Sequence, residues 1–322
     1  MSLLGSIDAG PAILLAERAA FATDIKHLSA FTQSLHHIQN LGANDIYSWF
    51  LASGSFASIP SEAEASLPQT QAHTQPPDLK LNLIYPCTAQ HVAKYSAQGV
   101  RVVTETPAIY RDHVSPYMKK KRDSGSLAWV YNIIDGRTEQ EDVIFRQHSS
   151  SSSATITSNT PATASSPPQD EGFLLLPDLN WDRKTLTSMH LLAVVERRDI
   201  WSVRDLTRDH IPWLKHMREK VLAATTELYP EVERDQVKLY VHYQPTYYHF
   251  HVHVVHVMAE ASATMAVGKA LGLEGVVELL EKMDGAGSMG EVNLTYTIGE
   301  ASELWLEVFE PLKRAALGKQ SV

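Results

Sequence analysis

Residues 241–257 read V-H-Y-Q-P-T-Y-Y-H-F-H-V-H-V-V-H-V, and the rest of the chain is organised around them. The run predicts a strand, a tight turn at Gln244-Pro245-Thr246, and a second strand beginning at Tyr247. In that second strand His249, His251 and His253 alternate with Phe250, Val252 and Val254. Successive side chains of a strand point to opposite faces, so three imidazoles would share one face while the apolar residues enter a core. A lone strand histidine is often a satisfied structural group. Three in strict alternation on one rigid edge look like a site.

Metal binding is the first alternative, because imidazole is a common ligand for zinc, copper and nickel. Neighbours in the run would stand about 6.6 Å apart, and His249 and His253 roughly 13 Å, so the three cannot close one tetrahedral site. A metal would need ligands from elsewhere, and no H-E-x-x-H or C-x-x-C accompanies the run. The expectation is therefore no metal and no cofactor. Nucleophilic catalysis remains. An imidazole nitrogen can attack phosphorus when a neighbour sets its tautomer and donors neutralise the phosphate oxygens. The middle ring, His251, is the natural nucleophile.

His249 to Val255 resembles the histidine triad (HIT) signature, His-φ-His-φ-His-φ-φ. The resemblance implies a covalent nucleotidyl-histidine on His251, with His249 and His253 supporting the phosphate and the ring.

At 322 residues the chain is long enough for two domains with real cores. A net charge of −9 argues against indiscriminate binding to phosphate backbones, DNA included, so any nucleotide must be recognised by a local pocket. The lone cysteine, Cys87, rules out an internal disulfide and fits a reducing compartment. No apolar run reaches about 18 residues, and the amino terminus lacks a basic stretch followed by an apolar one. The expectation is a soluble intracellular protein, cytoplasmic or nuclear, with no membrane partner.

Ala12 to Leu15 form a short apolar run. Ile25, Leu28, Phe31 and Leu35 keep helical spacing and predict a helix over 23–40. Residues 58–78, rich in Ser, Gln, Thr and Pro, read as an exposed loop. Leu79 to Tyr85 predicts a strand, Thr88 to Ala97 a helix, and Val100 to Glu105 another strand. Thr106-Pro107 then starts a helix, with Thr as cap and Pro at the first position. That helix ends in Lys119-Lys120-Lys121-Arg122, a solvated face or, alternatively, a lure for an anionic substrate.

Leu127 to Gly136 reads as a strand and turn. The Ser/Thr/Pro tract at 148–168 is too poor in apolar groups to order itself. Gly172 to Trp181 predicts a buried strand and turn, with a helix beginning near Trp181. Leu191 to Val195 reads as a strand and Asp209 to Tyr229 as a long helix. The pattern predicts an α+β fold: a smaller α+β domain over 1–105, and a catalytic domain over 106–322 with a mostly antiparallel sheet.

Several segments besides the triad resemble one branch of the HIT superfamily, the scavenger mRNA decapping enzymes. They are H-Y-Q-P-T-Y-Y-H-F-H-V-H, N-D-I-Y-S (Asn44 to Ser48), I-Y-P-C-T-A-Q-H (Ile84 to His91), W-V-Y-N-I-I-D (Trp129 to Asp135), L-L-P-D-L-N-W (Leu175 to Trp181) and R-D-L-T (Arg204 to Thr207). The resemblance spans most of residues 12–258, in family order. It implies hydrolysis of the 5′–5′ triphosphate of N7-methylguanosine cap dinucleotides or short capped RNA, without metal. It also implies a homodimer with a HIT-like carboxyl-terminal domain.

The chemistry of the matched residues suits a cap. N7-methylguanine is cationic, so a Trp face attracts it by about 0.5–2 kcal/mol of cation–π interaction. Trp129 matches the family's stacking residue, and Leu179 would close the other side. A guanine edge offers two donors that one carboxylate accepts together, and Glu139 stands at the family's carboxylate position. Pro177, through its carbonyl, and Asp178 match the cap-pocket turn. Phosphate handling would fall to His242, Thr246, Tyr247, His249, His251 and His253. Asn44 and Tyr47 match residues that close over the substrate from the amino-terminal domain, with Thr106-Pro107 as a hinge.

The chain departs from the family pattern at three places. Asn180 stands where Lys, a phosphate contact, is usual; Thr246 replaces Ser and keeps the hydroxyl. The amino-terminal domain is shorter, with no strand expected before about Ala12. Two other readings compete: a dinucleoside polyphosphate hydrolase indifferent to N7 methylation, and a cap-binding protein without catalysis.

Overall fold

A computed structural model describes residues 2–7, 10–15, 24–44, 46–54, 79–148, 172–179 and 181–319. The expected loop at 58–78, nearly all of the Ser/Thr/Pro tract and Asn180 lie outside the described residues. The chain divides into two compact units, Met1–Gln90 and His91–Val322. Residues 91–105, read from sequence as part of the first domain, belong to the second unit, where Val100–Glu105 finds its strand partner.

In the first unit β1 (Ser2–Ile7) and β2 (Gly10–Leu15) form an antiparallel hairpin. This corrects the expectation of no strand before Ala12; so short a run gains its backbone hydrogen bonds only from its partner. Helix α1 (Ile25–Ser34) begins at Asp24, whose carboxylate accepts the His27 N–H at 3.1 Å. The helix predicted to reach Asn40 stops at Ser34, because β3 (Leu35–Asn44) joins the ladder of β4 (Tyr47–Gly54). With β5 (Leu79–Ile84) these make a sheet of order β3-β4-β5. Of the N-D-I-Y-S segment, Asn44 ends β3 and Tyr47 begins β4, and the two are backbone partners. Helix α2 (Ala89–Tyr95) follows.

The second unit opens with β6 (Val100–Glu105) and α3 (Pro107–Ile109), where Thr106 accepts the Ile109 N–H as expected of a cap. A π-turn at Tyr110–Val114 leads into α4 (Ser115–Asp123). W-V-Y-N-I-I then forms a helix, α5 (Ala128–Ile134), not the predicted strand. Aromatic and β-branched residues cost a helix up to about 0.7 kcal/mol each. Leu127, Val130, Ile133 and Ile134 fall on one helical face and are all buried. Burial is worth about 1.5–3 kcal/mol per side chain, so it overrides propensity.

The chain continues through β7 (Phe145–Gln147), β8 (Phe173–Pro177), β9 (His190–Val195), α6 (Ile211–Leu228) and β10 (Val237–His242). It ends with β11 (His251–His256), β12 (Ala270–Gly272), α7 (Leu273–Lys282), β13 (Leu294–Gly299) and α8 (Glu310–Lys319). No α-helix begins near Trp181. Instead Asp182 accepts the N–H groups of Lys184 and Thr185, and only a 3-10 turn forms at Leu186–Ser188. Six strands form one antiparallel sheet in the order β12-β10-β11-β9-β8-β7, and β13 pairs separately with β6.

Strand alternation divides this sheet between two cores. Phe173, Leu175, Leu191, Ala193, Val252 and Val254 pack with Trp213, Leu214, Met217 and Val221 of α6. Leu174, Leu176 and Val194 pack on the opposite face with Leu127, Val130, Ile133 and Ile134. His251 and His253 alternate with Val252 and Val254, which places them on the α5 side. The fold is α+β, and no described helix is long and apolar enough to cross a membrane.

Candidate active site

The hairpin carrying the histidines is more open than its sequence predicts. Strand pairing between β10 and β11 ends at Tyr240 and His253, and residues 243–250 form a loop between the two strands. This corrects the tight turn and the strand start at Tyr247. His249 therefore sits outside the strand, not in line with His251 and His253.

A buried ion pair accounts for the loop's course. Arg204 and Glu105 meet at 2.7 Å with both side chains fully buried. Glu105 also accepts from the hydroxyls of Tyr243 and Tyr296 at 2.6 Å and from the Gln244 amide at 3.2 Å. Tyr248 closes the set by donating to Gln244 Oε1 at 3.1 Å. The loop is thus held from beneath, and R-D-L-T acquires a physical role as its anchor. Three residues of the basic run at 119–122 are engaged: Lys120 pairs with Glu307, Lys121 with Glu303, and Arg122 donates to the Tyr248 carbonyl.

Backbone carbonyls set the tautomers of three histidines, because a carbonyl can only accept. His251 Nδ1–H donates to the His249 carbonyl at 2.8 Å, which leaves Nε2 with its lone pair. His249 Nε2–H donates to the Val195 carbonyl at 2.7 Å, and its ring meets the edge of Tyr131. His242 Nε2–H donates to the Thr264 carbonyl at 2.8 Å, its ring 4.0 Å from that of His253. Burial is the first cause holding all four rings neutral. It lowers His242 and His249 to about 4, drops His251 below its ordinary 6.5, and takes His253 well below it. Lys269, which the sequence reading passed over, adds its positive charge to the lowering at His242, His251 and His253.

Two of the remaining candidates reach these rings, Tyr247 directly and Trp129 through Tyr247. Tyr247 stacks on His251 with centroids 4.4 Å apart, and the edge of Trp129 meets Tyr247 at 5.0 Å. Trp129, on the outer side of α5, is 46 % exposed, and Leu179 is 39 % exposed. Pro177 ends β8, and the Asp178 N–H bonds to the His190 carbonyl at 2.8 Å. Glu139 adopts φ +53° in the turn after α5, a region costly for a residue with a Cβ. Gln140 braces that turn by donating to the carbonyls of Ile133 and Thr138. Thr246 is exposed in the loop. Asn44 and Tyr47 belong to the first unit, and their side chains lie outside the described residues.

Asp178, His190 and His253 offer donor atoms within 4.8 Å of one another, a set that spacing within the histidine run does not show. His190 Nε2 and His253 Nδ1 stand 2.8 Å apart, a hydrogen-bond distance. Two nitrogens on one tetrahedral zinc would stand about 3.3 Å apart. His190 is the residue motif reading missed; its signal was an imidazole on β9 at the period that faces the triad. A groove of about 590 Å³ lies at Val100, Val102, Trp305 and Phe309, with Arg101, Thr104 and Lys313 as its polar lining and no histidine.

Comparison with known proteins accords with this geometry. Residues 1–98 match the model of the scavenger mRNA decapping enzyme amino-terminal domain, and residues 128–268 that of the carboxyl-terminal binding domain. The m7GpppX diphosphatase of Schizosaccharomyces pombe is 33 % identical over 315 residues, covering 97 % of this chain and 89 % of that protein. This chain belongs to the scavenger mRNA decapping enzyme family. Other family members named m7GpppX diphosphatase are similar too. That of Ascaris suum is 36 % identical over 279 residues, covering 87 % of this chain and 79 % of its own. The human protein is 30 % identical over 281 residues, covering 86 % and 69 %.

Proposed function

We propose that this chain hydrolyses the 5′–5′ triphosphate of N7-methylguanosine cap dinucleotides and short capped RNA, releasing 7-methyl-GMP and a diphosphate-ended nucleoside or oligonucleotide. The observation that carries the reading is Tyr247, which touches both the exposed Trp129 and the ring of His251. A stacked base and an attacked phosphate would thereby lie side by side.

The chain's residues would act as follows. Trp129 and Leu179 sandwich the cationic base, and Glu139 accepts from its N1–H and amino group. Asp178 and the Pro177 carbonyl line the same turn. His251 Nε2, neutral and unprotonated, attacks the phosphorus nearest methylguanosine, and the bond to the bridging oxygen breaks. His253, Thr246 and Tyr247 serve the phosphate oxygens, while His249 sets the ring of His251 through its carbonyl. His242, its one hydrogen given to the Thr264 carbonyl, packs against His253. Water then cleaves the phosphorus–nitrogen bond, freeing 7-methyl-GMP and restoring the imidazole. Asn44 and Tyr47 would close over the second nucleoside. The protein would work as a homodimer in cytoplasm or nucleus.

The test is hydrolysis of methylated and unmethylated cap dinucleotides in the presence of a chelator, resolved by chromatography. A product of 7-methyl-GMP, formed faster from the methylated substrate, is expected. Equal turnover would point to a general dinucleoside polyphosphate hydrolase, and binding without turnover to a sequestering protein.

A further inference from the structure

His253 is the one triad ring whose tautomer no carbonyl decides. Its Nδ1 faces another imidazole nitrogen, His190 Nε2, at 2.8 Å, and either could donate. Strand register makes this contact: on β9 and β11 His190 lies opposite Val255, and His253 opposite Leu192. The two rings are diagonal neighbours on one face of the sheet.

The surroundings decide the donor. Asp178 Oδ2 stands 3.9 Å from the same His190 Nε2. A carboxylate beside a ring nitrogen favours the tautomer with hydrogen there. His190 Nε2–H then donates to His253 Nδ1, which leaves the single hydrogen of neutral His253 on Nε2. That atom is buried and has no hydrogen-bond partner among the described residues. A buried donor without an acceptor is costly, and in native proteins it marks a position with work to do. Around it stand His242 at 4.0 Å, the parallel ring of Tyr240 at 4.9 Å and His251 at 5.3 Å, all between centroids.

We propose that His190, backed by Asp178, is a positioning residue that holds His253 as its Nε2–H tautomer, so that this N–H donates to a phosphate oxygen of the substrate. The role rests on the reading of His251 as nucleophile. In the opposite tautomer His253 would present a lone pair to the phosphate and repel it. His190 touches no substrate; it acts through His253.

The decisive measurement is nitrogen-15 NMR of the imidazoles in the full-length chain, with the His253 signals assigned by their loss in His253→Gln. His253 protonated at Nε2 in the unmodified protein is expected; protonation at Nδ1 overturns the proposal. Kinetics supply a second arm. His190→Leu is expected to lower kcat about 10- to 100-fold with KM changed less than about two-fold, and His190→Gln, which keeps an N–H donor, to recover most of the loss. Unaltered kcat in His190→Leu, or no recovery in His190→Gln, also overturns it. Should the unmodified protein fail to hydrolyse the cap, the functional reading falls, while the NMR result still decides the tautomer.

Discussion

The sheet face that carries His251 and the helix that carries Trp129 are built in opposite ways. His249, His251 and His253 are 0 %, 6 % and 5 % exposed, whereas Trp129 and Leu179 keep 46 % and 39 % of their surface in solvent. Burial strips the imidazoles of water and holds them neutral, and backbone carbonyls choose the tautomers of His249 and His251 before any substrate arrives. In the function proposed above, exposure would leave the Trp129 plane open to a cationic base. Chemistry needs groups that cannot rearrange, and recognition needs a surface that can be covered. The two sides should therefore fail differently when altered.

The largest effect is expected from His251→Asn. It should lower kcat by about 10⁴-fold or more while cap dinucleotide affinity, read by calorimetry, stays within about three-fold. Equal losses in both would erase the division. Next comes the support beneath the buried side. Arg204→Met removes the cationic partner of the fully buried Glu105 carboxyl, and should cost about 3–5 kcal/mol in urea unfolding.

Acid should find the buried side as well. His242 and His249 have folded values of about 4 against 6.5 when unfolded. Between those values the unfolded chain binds more protons, so the stability these rings contribute is complete above 6.5 and lost as pH falls toward 4. At pH 5 each should have cost about 2 kcal/mol, visible as a lower urea midpoint than at pH 7. A midpoint flat from pH 7 to 5 would mean these rings are not neutral in the fold.

On the exposed side, Trp129→Ala should raise KM roughly ten-fold and remove the preference for methylated cap, yet change stability by less than about 0.5 kcal/mol. A large fall in melting temperature would make Trp129 a core residue and sharpen the comparison against us. Thr246→Ser, which keeps the hydroxyl, should move kcat/KM by less than about two-fold.

The legible and illegible parts of this molecule separate by range. His251 and His253 were placed on one face by a period of two, and Thr106-Pro107 was read as a helix start from local chemistry alone. W-V-Y-N-I-I was misread because its residues favour strands individually, while their spacing serves a helix that only Leu174, Leu176 and Val194 make worth forming. His249 was misread because a loop's path was decided by Glu105 and Arg204, far away in sequence.

By itself the sequence determined the alternation that sets two imidazoles against a core, and the set of motifs by which the family is recognised. Those are properties of neighbours along the chain. Tertiary structure alone decided that His190 reaches His253 with Asp178 beside it, that Tyr247 joins Trp129 to His251, and which nitrogen of His242, His249 and His251 holds its hydrogen. A tautomer depends on the atom a ring nitrogen faces, and that atom is supplied by folding.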